Sequence, residues 1–123
     1  SNATVEKILT ENGFTMQEIS NIVYLYTKST ADNSRTSKLR IVYDKSVNID
    51  KSETEMFIES ENDILALENL LKVFCKSQST DEFISAVRKQ LDGKSANAKL
   101  TLDNGQLLRL GTSGGYTEVH TSR

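Results

Sequence analysis

The chain of 123 residues has no proline, one cysteine and one histidine. Average usage of about 5% would give roughly six prolines, so glycine and asparagine must punctuate the fold unaided. A single cysteine excludes an internal disulfide framework and a cysteine-based zinc site, and one histidine offers no imidazole cluster for a metal. No apolar run approaches the roughly 20 residues that span a bilayer. Neither sign of charge dominates: 15 Lys and Arg face 17 Asp and Glu, for a net −2. No global field therefore recruits nucleic acid or an anionic membrane.

What is present suits one small domain. The hydrophobic share is 37%, on the low side, with Ser, Thr and Asn filling the difference. Ser1-Asn2-Ala3 reads as the scar of a removed expression tag, and Thr4 rather than a methionine follows it. The expectation is a single domain over residues 4–123, excised from a longer protein or left after removal of a signal peptide. A cytoplasmic setting is favoured, and a secreted or cell-surface one would follow from a removed signal peptide.

The elements follow from periodicity. Val5, Ile8 and Leu9 have helical spacing, and Asn12-Gly13 is a stop, with Gly13 left-handed and Phe14 folded back on Leu9. The β-branched and aromatic run Ile22–Thr27 reads as an internal strand. A long mobile loop, Lys28–Ser37, then leads into a second strand with Leu39, Ile41 and Tyr43 inward and Lys38 and Arg40 outward. Glu53–Ser60 reads as a third strand with Met56 and Ile58 inward.

Ser60 and Asp63 suggest a capping box for a helix whose stripe is Ile64, Leu67, Leu71 and Phe74, widened by Leu65, Leu70 and Val73. Ser79 or Thr80 opens a second helix that buries Phe83, Ile84, Val87 and Leu91 and ends at Gly93. Asn104-Gly105 predicts a two-residue type I′ hairpin pairing Leu102 with Leu107 and Leu100 with Arg109. Gly111-Thr112-Ser113-Gly114-Gly115 reads as an inter-strand loop, lacking the endings of a phosphate loop. Tyr116–Thr121 reads as a last edge strand. The class is α+β: a largely antiparallel sheet of five to six strands, with an N-terminal helix and a central helical pair on one face.

Two surfaces stand out as candidates. Alternation puts Glu53, Glu55, Phe57, Glu59 and Glu61 on one face of an extended chain, a self-repelling row that suits docking of a basic protein partner. The bland reading is a solvated face neutralised across strands by Lys38 and Arg40. Calcium is disfavoured, because no Asp-x-Asp-x-Asp-Gly loop appears. The second surface is for nucleic acid. Leu9, Gly13, Ile19 and Ile22 have helix-turn-helix spacing, with Gln17, Ser20 and Asn21 on the recognition face, and Tyr24 and Tyr26 could stack bases from a strand. That recognition face carries no Lys or Arg, which weakens it.

Cys75, His120 and Asp103 are the only drawable catalytic set, and no spacing favours it; Cys75 reads as a small core residue. No cofactor or metal site is expected. The leading expectation is a non-catalytic interaction module, an accessory domain of a larger bacterial protein. Nucleic-acid binding stands second and small-ligand binding third.

Overall fold

The computed structural model describes residues 2–43 and 49–121. Three helices, α1 (Asn2–Glu11), α2 (Glu61–Phe74) and α3 (Asp81–Leu91), accompany seven strands. These are β1 (Thr15–Ser20), β2 (Val23–Ser29), β3 (Thr36–Tyr43), β4 (Ile49–Ile58), β5 (Lys99–Thr101), β6 (Leu107–Ser113) and β7 (Tyr116–Thr121). One sheet holds all seven in the order β1-β2-β3-β4-β7-β6-β5, and every pairing is antiparallel. The α+β class and the helical complement are as expected; the strand count exceeds the expected five to six.

A single core lies between the sheet and the helices. Val5 and Leu9 of α1, Leu67, Leu70 and Leu71 of α2, and Ile84 and Val87 of α3 meet Tyr26, Leu39, Ile41, Met56, Ile58 and Val119 from alternate strand positions. The expected stripe of α2 holds with one exception. Leu65 turns away from the sheet and is 45% exposed, because it sits about 100° round the helix from Ile64.

The extra strand is β1. Gly13 at φ +85 closes α1, with Gly13 N donating to Thr10 O at 3.2 Å and Phe14 N to Leu9 O at 3.0 Å. Those two bonds form a Schellman motif. The chain then leaves extended and pairs with β2 instead of starting a second helix. Six residues are too few to hold a helix without strong packing, whereas β2 offers a ready ladder. The helix-turn-helix expectation is therefore wrong.

The C-terminal half corrects two further expectations. Leu100 pairs with Leu108 and Thr101 with Leu107, one residue off the expected register. Leu102 N donates to Gln106 O at 2.7 Å and Gly105 N to Leu102 O at 2.9 Å. The loop thus holds three residues, and only Gly105, at φ +87, is left-handed. This register places Leu100, Leu102, Leu108 and Leu110 together in the core, where the expected one would have turned two of them to solvent. The two-residue turn lies instead at Gly114-Gly115, at φ +56 and +86, joining Ser113 to Tyr116. The second correction concerns β7, which is not an edge but sits between β4 and β6.

The loop between β2 and β3 is short and well tied. The Asp32 carboxylate accepts from Thr30 Oγ1 at 2.8 Å, Ser34 N at 2.9 Å and the Tyr116 hydroxyl. At the start of α2, Ser60 makes no side-chain cap bond. Asp63 reaches back one residue further than a capping box, accepting from Glu59 N at 2.9 Å, and pairs with Lys28 Nζ at 2.8 Å.

Candidate interaction surface

With the helices on one side, strand alternation leaves the other side of the sheet free of described helices, though Phe57 and Glu118 on it are buried near Tyr116. Cross-strand register draws a charged row over it. Lys38 lies opposite Glu55, Glu55 opposite His120, His120 opposite Arg109, and Arg109 opposite Lys99. A second row runs Leu25, Arg40, Glu53. Around these rows lies a groove of about 510 Å³, walled by Leu25, Lys38, Arg40, Lys51, Glu53 and Glu55.

The groove exists because β7 pairs with β4 only from Glu55 to Ile58. Beyond that point side chains stand in for the neighbouring strand. Thr54 N donates to Thr121 Oγ1 at 3.0 Å. The Gln106 amide accepts from Ser52 N at 3.0 Å and donates to Ser52 O at 2.7 Å, imitating a peptide group. Asn104 Nδ2 donates to Gln106 Oε1 at 2.6 Å and fixes the amide's orientation.

The electrostatics are mixed rather than acidic. Glu53 Oε1 lies 3.6 Å from Arg40 Nη1 and 3.5 Å from Lys51 Nζ, all three side chains about half exposed. Such pairs are worth about 0–1 kcal/mol each and exchange readily for a partner's charges. Glu118 is 8% exposed, and His120 Nδ1 approaches its Oε1 at 3.0 Å. The contact lacks the alignment of a hydrogen bond, so it is ionic only when the imidazole is protonated.

The five residues of the expected acidic row are dispersed. Glu53 and Glu55 border the groove. Phe57 is 4% exposed, its ring edge-on to Tyr116 at 5.8 Å. Glu59, past the end of β4, accepts from Ala31 N at 3.0 Å. Glu61 is the first residue of α2 and pairs with Arg88 of α3. Period-two alternation stops where the strand stops, at Ile58, so the row cannot extend to Glu61.

The residues expected to read nucleic acid are no better assembled. Gln17 lies on β1, Ser20 accepts from Ile22 N at 3.4 Å in the β1–β2 turn, and Asn21 belongs to that turn. Tyr26 is 2% exposed, and Tyr24 packs edge-on against Tyr43 with ring centres 5.3 Å apart. Both tyrosines face the helices, so neither presents a ring to a base. Burial, with the nearby Glu6 charge, pushes the Tyr26 and Tyr43 phenols above their ordinary value.

Cys75, Asp103 and His120 are not brought together. Cys75 lies on the helix side, its Sγ 3.5 Å from Thr101 O, and burial pushes its thiol up. Asp103 accepts from Lys76 N and Ser77 Oγ at 2.8 Å each, which holds its carboxyl below the usual range. His120 lies on the uncovered face. Among the described residues no three or more His, Cys, Asp or Glu gather to hold a metal, and no helix is long and apolar enough to cross a membrane. An internal void between the sheet and α2, near Ser52 and Leu71, measures about 10 Å³, room for one water at most.

Sequence reasoning passed over Gln106, Thr121 and Tyr116. Gln106 acts on Ser52 across 54 positions, and no local pattern signals such a contact. Comparison with models of known families, with curated proteins and with solved structures finds no match for this chain.

Proposed function

We propose that the chain is a non-catalytic interaction module, an accessory domain of a larger bacterial protein, which receives a protein partner on the uncovered face of its sheet. The supporting observation is the groove itself: an open floor at Leu25 walled by cations and carboxylates whose own ion pairs are weak and half-exposed. A partner bearing both signs can replace those pairs at little cost, which gives specificity and salt-sensitive association more than raw affinity. Glu53 and Glu55 remain the acidic contacts for basic side chains, now beside Lys38, Arg40 and Lys51.

The test is affinity capture with cross-linking from the source cells, using wild type, Glu53→Gln/Glu55→Gln, and Lys38→Gln/Arg40→Gln. A cross-linked protein recovered by wild type and depleted by both double variants supports the reading. The same proteins recovered by all three would overturn it. Mobility shift with duplex DNA and RNA at physiological salt covers the nucleic-acid alternative, where micromolar binding would displace the protein reading.

A further inference from the structure

The sheet has two edges, β1 and β5. β5 is three residues long, and its last carbonyl, Thr101 O, accepts from Gln78 Nε2 at 2.6 Å and from Cys75 Sγ at 3.5 Å. Short length and side-chain cover are the ordinary ways of blunting an edge. β1 has neither. It is six residues long, every one is exposed, and no described strand pairs with its outer side. It contains no proline, lysine or arginine. Met16, Ile19 and Ile22, exposed by 37%, 54% and 39%, are three of the four exposed large apolar residues among those described. A register shift between Glu18 and Ser20 bends the far end, but Thr15–Glu18 keeps a regular ladder with β2.

We propose that β1 is a strand-addition site: an extended segment of a different polypeptide pairs with its outer side as an eighth strand, setting apolar side chains beside Met16 and Ile19 and a lysine or arginine opposite Glu18. Main-chain hydrogen bonds supply the affinity in such complexes, and side chains supply the choice of partner. The choice rests on Glu18. It is the only charged residue of β1, and it has no ion-pair partner among the described residues. A second copy of this chain suits the edge poorly. Two-fold pairing of β1 with itself sets Glu18 opposite its own image, or on the diagonal about 7–8 Å away, and like charges so placed oppose assembly. A foreign strand with a cation there meets no such penalty.

The experiment is an amide NMR titration of the 15N-labelled protein with two acetylated, amidated hexapeptides, Val-Val-Lys-Val-Val-Thr and the same sequence with glutamate replacing lysine. Shift changes and slowed hydrogen exchange confined to residues 15–20 are expected, with the lysine peptide binding about fivefold more tightly. Glu18→Lys should reverse that preference in a folded protein, and Ile19→Lys should weaken both peptides. Absence of shifts at millimolar peptide, shifts over the Lys38–Glu55 groove instead, or an unchanged preference in Glu18→Lys would overturn the proposal. So would a concentration-dependent dimer on sedimentation that Ile19→Lys abolishes, since it would assign the edge to a second copy.

Discussion

β1 and β5 close the two ends of one sheet, yet they are built on opposite terms. The three residues of β5 are backed by Leu100 and Leu102, both in the core, and the link after α2 lays Gln78 and Cys75 over the outer carbonyl. β1 is twice as long and buries none of its own side chains; it is anchored by the ladder to β2 and the turn at Gly13 that ties it to α1. An edge strand can thus belong to the core or merely be attached to it. Burial of its alternate residues decides which, not its length or propensity.

The largest effects should come from breaking that contrast directly. Leu100→Ala and Leu102→Ala should each cost about 2–5 kcal/mol in chemical denaturation, as should Leu67→Ala and Leu71→Ala in the helix that faces them. Met16→Ala and Ile19→Ala in β1 should stay within about 0.5 kcal/mol. Equal losses at the two edges would show that β1 is no mere attachment.

Gly105→Val comes next, at about 1–3 kcal/mol, since a β-branched residue strains at positive φ. A changed melting temperature is expected, and an unchanged one would refute the three-residue loop that fixes the β5 register. Smaller again, Gln78→Ala should cost about 0.5–1.5 kcal/mol and speed amide exchange along β5 towards the rates seen in β1.

The least effect is acidic. Donation from Tyr116, then from Ser34 and Thr30, holds the Asp32 carboxyl well below the usual carboxylate range. A depressed folded pKa gives a contribution present above the unfolded value of about 4 and lost as pH falls through the folded one. Wild type should lose a little thermal stability below about pH 4, and Asp32→Asn should flatten that slope. Parallel slopes in both proteins would show that the loop does not depend on this carboxylate.

Much of the fold was legible because local signals and burial agreed. The stop at Gly13, the inward set Leu39, Ile41 and Tyr43, and the core of α2 all follow from periods of 3.6 and 2. The misses share a cause. Asn104-Gly105 matches the commonest two-residue turn, and that local preference yielded to the spacing of Leu100, Leu102, Leu108 and Leu110, which demands the even register. The spacing was visible in the sequence; it was outweighed by the turn motif. The central place of β7 is different, since it depends on β4, some 60 positions away; β1 pairs with its chain neighbour β2, but its exposed, mostly polar residues carry no inward alternation to mark it as a strand. The surface was less legible still. Alternation located Glu53 and Glu55 correctly, but the burial of Phe57 under Tyr116 and the closure by Gln106 are long-range facts with no local signature.

The central place of β7 has a consequence for biosynthesis. Among the described strands it comes last, and it alone joins the β1–β4 meander to the β5–β6 hairpin. At about 5–20 residues added per second, β4 waits for seconds while α2, α3, β5 and β6 are made before residues 116–121 arrive. During that interval the flank of β4 at Met56 and Ile58 lacks its neighbour, and a contact spanning some 60 positions is slow to form. A nascent chain halted before Tyr116 would carry β4 with one flank unpaired, an invitation to chaperones or to aggregation.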